Sequence, residues 1–317
     1  MYELVIIGAT SNICKTKVFK NLNSFNEFNK IYCYGWENWD NNDFIFYLLT
    51  NVKGNIINLI PKIQFIQGNY NDYHITLKNI VGHNTIIYVA TPPICYESLL
   101  NYNKNLNLNC KIIFEKPFAN NYTEYKNLEL YVKNNVYMID HFLYKSDILN
   151  IINKHKNTEI NYFKISFIYS EDVENRLGYF DKTGLFKDMF QSHYLSVLYE
   201  LIGDKIDNLL YSKINKNIRK QYHNYGGKNK NIDTYFYLEL EYDDCKYIFE
   251  SGKKMPDNRE IVINDNSYTI KSYENEYELF FKELLNHNNK NIFENQNKFW
   301  KFYHYIEDNK QLYIYNE

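Results

Sequence analysis

The 317-residue chain is poor in the residues that break or staple a backbone: five prolines, eleven glycines and five cysteines. The cysteines (Cys14, Cys33, Cys95, Cys110, Cys245) are scattered, odd in number and without a CxxC pair, which argues for reduced thiols and against a disulfide or zinc framework. No metal site is expected. Net charge is also missing: 36 lysines and arginines face 38 aspartates and glutamates, so no overall field draws the chain to nucleic acid or to an anionic membrane. No apolar run approaches the roughly 18 to 20 residues that a membrane-spanning helix needs. The amino terminus, MYELVIIGAT, lacks both a basic stretch and a small-residue cleavage site, so secretion is not expected and a cytoplasmic location is. Asn, Lys, Tyr and Ile are abundant, as an A/T-rich coding bias would make them, and this blurs residue propensities.

What is present suffices for two ordinary domains with their own cores, at 45% hydrophobic content. The first part alternates strand-like runs (ELVIIG, KIYCYG, KIQFIQG, TIIYVA, CKIIFE, VYMID) with helical patterns from about Cys14, over Tyr96 to Asn103 and through EYKNLELYVKN. That alternation predicts a Rossmann-like α/β domain built on a parallel sheet. After about residue 142 the rhythm changes. A helical stretch, KSDILNIINKHK, precedes the strand NYFKISFIY, a helix through KDMFQSHYLSVLYELI and consecutive strands TYFYLELEY, KYIFES, REIVIN and SYTIK, with two helices at the end. Strands without intervening helices predict an α+β domain with a mainly antiparallel sheet, over 143–317.

Gly8 follows a buried strand and precedes a helix, where backbone amides and the helix dipole receive a pyrophosphate. The candidate cofactor residues there are Gly8, Thr10, Ser11, Asn12 and Ile13, although Ser11 and Asn12 stand where the dinucleotide fingerprint wants further glycine. A plain tight turn is the alternative. The second strand ends at Glu37, whose carboxylate can accept from a ribose 2'-hydroxyl and would repel a 2'-phosphate. The fourth strand ends in ATPP, where Thr91 and Pro92 can wall the nicotinamide side, and the fifth at Lys116, on the edge where open α/β sheets bind ligands. No arginine lies between Lys30 and Arg176, which favours NAD, while Lys15, Lys17 or Lys53 could still meet the extra phosphate of NADP.

Three segments carry more: IIFEKPFANN (112–121), YMIDHFLYK (137–145) and GYFDKTGLFKDMFQSHYL (178–195). They resemble the glucose-6-phosphate dehydrogenase family, whose patterns are EKPFG, RIDHYLGK and GYYDxxGxxRDMxQNHLLQ. GATSNICKTK, YVATPPICYE, EDVENRLGYFD and FESGKKM extend the resemblance over residues 3 to 255, in a chain much shorter than a typical member. It implies oxidation of a hexose phosphate at C1 to the lactone with NAD or NADP. His193 matches the catalytic base, since an imidazole titrating near neutrality can take the hydroxyl proton while hydride leaves, and Asp140 matches the carboxylate that fixes its tautomer. His141 and Lys145 match the substrate-phosphate clamp and, at i and i+4, would project together if their helix began near His141. The family's tyrosine in this clamp is Phe142 here. Lys116, Glu174, Asp188 and Lys253 match positions that hold the sugar. Asp188 and His193, five residues apart, stand about 140° apart on a regular helix, so either Asp188 lies at the helix start or the helix is distorted.

Two rival readings share parts of this pattern. Gfo/Idh/MocA-type oxidoreductases, which act on other sugars or nucleotide sugars, have the same two-domain plan, and a non-catalytic relative would keep the fold alone. The expected partner is a small-molecule sugar phosphate. The broad antiparallel sheet offers a homodimer surface, and the oligomer stays open.

Overall fold

The computed structural model describes all residues except 83, 107–109, 174–175, 272–274, 287–290, 309–310 and 316–317, and for 74, 75, 106 and 311–315 the backbone alone. Two compact units divide the chain: Met1–His141 with Glu274–Glu294, and Phe142–Tyr273 with Asn295–Glu317. Segment 274–294 thus packs with the first unit instead of continuing the second.

In the first unit six strands, β1 (Tyr2–Ile7), β2 (Phe28–Gly35), β3 (Ile63–Gln67), β4 (Thr85–Val89), β5 (Lys111–Glu115) and β6 (Val136–Ile139), form one parallel sheet in the order β3-β2-β1-β4-β5-β6. Leu4 to Ile7 and Thr85 to Val89 are buried throughout, the continuous apolar run of strands covered on both faces. The chain reverses direction of travel across the sheet between β1 and β4, and the crevice beyond their carboxyl ends is where such sheets take ligands. Helix Glu276–Leu285 closes this unit from far along the chain. Its Phe281 meets Phe25 and Phe28 edge-on at 6.0 and 6.1 Å, and Lys17 pairs with Glu276 at 3.0 Å.

The second unit carries a seven-stranded sheet. Its strands are β7 (Tyr162–Ile168), β8 (Lys213–Tyr222), β9 (Tyr235–Tyr242), β10 (Cys245–Gly252), β11 (Asn258–Ile263), β12 (Asn266–Thr269) and β13 (Gln311–Tyr315), in the order β12-β11-β7-β10-β9-β8-β13. Pairing is antiparallel except β7 with β10 and β8 with β13. Alternation sends Phe163, Ile165 and Phe167 into the core. On the strand face that Lys164 and Ser166 share, polar groups pair across strands, Ser166 Oγ donating to Glu250 at 3.1 Å. Strand β8 was not legible in the sequence because its Lys- and Asn-rich run, KINKNIRKQY, breaks the apolar alternation.

The helix carrying His193 is distorted. Residues Lys187–Tyr194 are wound as a π-helix, continuing into a regular helix over Leu195–Ile202, and the Leu195 N–H donates to Phe190 O, five residues back. Gly184, at φ +68°, marks the kink where the segment begins. Phe190 anchors the π turn between sheet and helix Gln296–Glu307, at 5.0 Å from Phe249 and 5.6 Å from Phe302. Among the described residues no helix is long and apolar enough to cross a membrane.

Candidate active site

In the first unit the turn after β1 is built on Gly8. Its φ of +79° favours glycine, and a Cβ there would meet Ala90 O and the Thr91 methyl at 2.9 Å, so the ends of β1 and β4 can close on each other only without a side chain. The N–H groups of Gly8 and Ala9 both donate to Tyr34 O. Ser11 Oγ accepts from the Cys14 N–H at 3.4 Å, capping the helix that starts at residue 12. The serine in the glycine position thus acts as a helix cap. Thr10, Asn12 and Ile13 complete this turn, and Pro92 stands before the short 3-10 turn Pro93–Cys95.

Glu37 is tied into the same turn. Thr10 Oγ1 donates to Glu37 Oε1 at 2.6 Å, and the Tyr47 hydroxyl donates to Thr10 O at 2.9 Å. The other carboxylate oxygen, Glu37 Oε2, is buried and accepts no hydrogen bond. A buried acceptor without a donor beside a glycine turn fits a ribose hydroxyl. Trp36, next to it, is 69% exposed.

At the end of β5, Glu115 is buried and accepts from the hydroxyls of Tyr88 and Tyr277, the latter at 2.8 Å. Burial pushes its carboxyl up to about 7, against the two tyrosine hydrogen bonds and Lys116, which favour the charged form. Lys116 follows, joined to Pro117 by a cis peptide. Asp140 is buried just beyond β6, and the His141 ring stacks on Tyr277 at 6.3 Å.

In the second unit His193 is buried and its ring lies on Phe142 at 3.9 Å and 16°. The π winding answers the question of the helix face: hydrogen bonds from i to i+5 set residues five apart nearly one above the other, so Asp188 and His193 share a side. Asp188 Oδ1 accepts from the Tyr179 hydroxyl at 2.8 Å. The clamp geometry is corrected. Residues His141–Tyr144 form a 3-10 turn, the helix starts at Ser146, and Lys145 is its extended N-cap residue, so His141 and Lys145 do not share a helical face at i and i+4. Lys145 Nζ lies 5.3 Å from the centroid of Phe142.

Lys145 and Lys253 both line a cavity of about 390 Å³. Lys253 Nζ stands 3.8 Å over the Tyr169 ring. Burial holds its ammonium below the ordinary lysine range, and Arg176 and Arg259 push it the same way against Asp188 and Glu171. Glu174 lies outside the described residues. The sequence reading missed Arg176, Arg259, Lys271, Glu171 and Asp172, which line this cavity too. One signal could have found the guanidinium pair: the chain has three arginines, Arg176, Arg219 and Arg259.

A glycine turn at the switch point of a 3-2-1-4-5-6 parallel sheet, followed by a mixed sheet unit, defines the class of two-domain α/β folds with a dinucleotide-binding-type first domain. Within that class, residues 5–150 match the glucose-6-phosphate dehydrogenase NAD binding domain, and residues 148–220 match the glucose-6-phosphate dehydrogenase C-terminal domain. The chain belongs to the glucose-6-phosphate dehydrogenase family. It is 34% identical to glucose-6-phosphate 1-dehydrogenase of Treponema pallidum over 136 residues, 36% of this chain and 26% of that one. Against the Borreliella burgdorferi enzyme of the same name it is 24% identical over 234 residues, 62% of this chain and 48% of that one. The chain thus spans half or less of the length of these curated relatives. In fold, the crystal structure of glucose-6-phosphate 1-dehydrogenase from Mycobacterium avium superposes with a TM-score of 0.79 at 15% identity, covering 99% of this chain and 94% of that one.

Proposed function

We propose that this chain is a cytoplasmic sugar-phosphate dehydrogenase that oxidises C1 of a hexose phosphate to the lactone, with His193 as general base. The observation that carries the reading is His193 itself: it is buried, oriented by the face of Phe142, and sits on a π turn with Asp188 in the unit that holds the cation-lined cavity. Bound nicotinamide dinucleotide supplies the hydride acceptor. His193 takes the C1 hydroxyl proton, Lys145 and Lys253 hold the anionic substrate, and Asp188 accepts from a sugar hydroxyl. In the family pattern Asp140 is the carboxylate partner of the base and Lys116 faces the sugar. Phe142 has no hydroxyl to give a phosphate, which removes one neutral hydrogen bond worth about 0.5–1.5 kcal/mol, while its ring fixes the imidazole plane.

The Glu37 carboxylate favours NAD over NADP, because a 2'-phosphate beside Oε2 would set two anions together. The reading is tested by following nicotinamide reduction with glucose 6-phosphate or glucose, and NAD or NADP supplied separately. Turnover is expected with the phosphorylated sugar, and His193→Asn should lower kcat by about 10²–10⁴-fold with little change in substrate affinity. A wild-type chain silent with every pair, or an active His193→Asn variant, would overturn it.

A further inference from the structure

Strand order in the first unit fixes the line along which a dinucleotide would lie. With β3, β2 and β1 side by side, a pyrophosphate at the Gly8 turn stands beyond β1 and a ribose at Glu37 beyond β2. The base then has to reach further along the same line, past the ends of β2 and β3. Two rings stand in that stretch of chain. Trp36 follows Gly35, the last residue of β2, and Tyr70 comes three residues after Gln67, the last of β3, with Gly35 and Gln67 paired in the sheet.

The loop that carries Tyr70 is held from three sides. The Gly68 N–H donates to Gly35 O at 2.8 Å, the Tyr34 hydroxyl to Asn69 O at 2.8 Å, and Ser98 Oγ to Tyr70 O at 2.9 Å. A Cβ on Gly68 would collide with the Tyr34 hydroxyl, so the loop closes over β2 only with glycine there. The Tyr70 ring packs on Tyr73 at 6.4 Å and 27° and on Tyr34 at 6.2 Å and 41°, which fixes its plane and leaves the residue half-buried. Burial, and after it the Glu37 carboxylate, push the Tyr70 hydroxyl up, so it stays a donor.

Trp36 differs from the tryptophan three residues on. Trp39 packs on Tyr47 at 5.1 Å and on Phe65 at 6.2 Å, whereas Trp36 is 69% exposed. A single exposed ring is ordinary on a protein surface; this one precedes Glu37, whose Oε2 is buried without a hydrogen bond. Rings beside a carboxylate suit a purine nucleoside. The carboxylate accepts from the ribose, the rings take the face of the base, and tyrosine and tryptophan lose little entropy in doing so because each has only two side-chain torsions.

We infer that Trp36 and Tyr70 are adenine-binding residues, stacking on the base of a dinucleotide whose ribose is held by Glu37. The inference rests on the dinucleotide part of the reading above and goes beyond it by naming the base and the rings that select it.

The test is a calorimetric titration of the folded full chain with ADP and with UDP, which share the ribose and the diphosphate and differ in the base. ADP should bind at least about fivefold more tightly, because the larger purine gains more from stacking. Trp36→Ala and Tyr70→Ala should each weaken ADP at least about fivefold and bring the two nucleotides within about twofold of each other, while Tyr70→Phe keeps the preference. A merely structural role would weaken both nucleotides alike, and the exposure of Trp36 lets it be removed without emptying the core. No binding of ADP, equal affinity for ADP and UDP, an unchanged preference in either alanine variant, or equal loss of both nucleotides would each overturn the inference. A chain that turns over glucose 6-phosphate but shows no base preference fails this inference alone. One that prefers ADP through both rings but reduces no cofactor fails the dehydrogenase reading alone.

Discussion

Glu115 shows how one side chain sets a pH dependence. Its carboxyl has lost water and kept two tyrosine donors, and the loss wins: the group rises from an ordinary 4.5 to about 7. The folded state then holds a proton that the unfolded chain has released between those values, so stability falls as pH rises through that window. The shift corresponds to about 3 kcal/mol. Glu115→Gln, which retains an acceptor for Tyr88 and Tyr277, should flatten the slope of urea-unfolding free energy between about pH 4.5 and 7; an unchanged slope would mean that another group carries it. Glu37 makes a second residue-scale prediction. Removing its carboxylate takes away both the acceptor for a ribose hydroxyl and the repulsion of a 2'-phosphate, so Glu37→Ala should shift the kcat/KM ratio toward NADP, and a constant ratio would make Glu37 a bystander.

Among the elements, the π-wound segment Lys187–Tyr194 is the one the sequence could pose only as a question. Five-residue spacing on a regular helix separates Asp188 from His193, and the extra residue per hydrogen-bonded ring removes that separation. The winding is held by tertiary contacts. The Phe186 N–H donates to Asp233 Oδ2 at 2.6 Å and the Leu185 N–H to Asp233 O at 2.9 Å, while buried Arg219 stacks on Phe186 at 3.2 Å. Gly184 makes the approach to Asp233 feasible, since a Cβ would meet Asp233 Oδ1 at 2.8 Å on a backbone already at φ +68°. Gly184→Ala should therefore cost about 1–3 kcal/mol in urea unfolding and lower kcat through His193 more than it raises KM. Loss of stability with unchanged kcat would separate the kink from the site. The sequence did announce this helix through DMFQSHYL, and left its winding open because i to i+5 bonding depends on what Phe190 and Phe186 pack against.

On the scale of the whole chain, the first unit is not continuous in sequence. Helix Glu276–Leu285 supplies Phe281 to the cluster of Phe25, Phe28 and Tyr88, and Tyr277 to Glu115. Phe281→Ala should destabilise the protein by about 3–5 kcal/mol, the cost of emptying a fully buried aromatic site, measured by urea unfolding. A cost below about 1 kcal/mol would show that the first unit stands without this segment.

The sequence by itself determined the six strands of the first unit, the change to a mainly antiparallel sheet beyond it, and the motifs that place the chain in its family, while the helix Asn41–Asn51 between the second and third strands went unread. Those features are local: burial on two faces writes an apolar run, and a phosphate-binding turn needs a glycine at one position. Only the tertiary structure decided that residues 274–294 return to the first sheet, that Asp188 and His193 share a side, and that Arg176, Lys253 and Arg259 line one cavity. For the cavity the reason is the strand order β11-β7-β10, which sets residues distant in sequence on neighbouring strands; for the helix and the returning segment it is packing against side chains far along the chain, and none of these leaves a periodicity in the sequence to announce it.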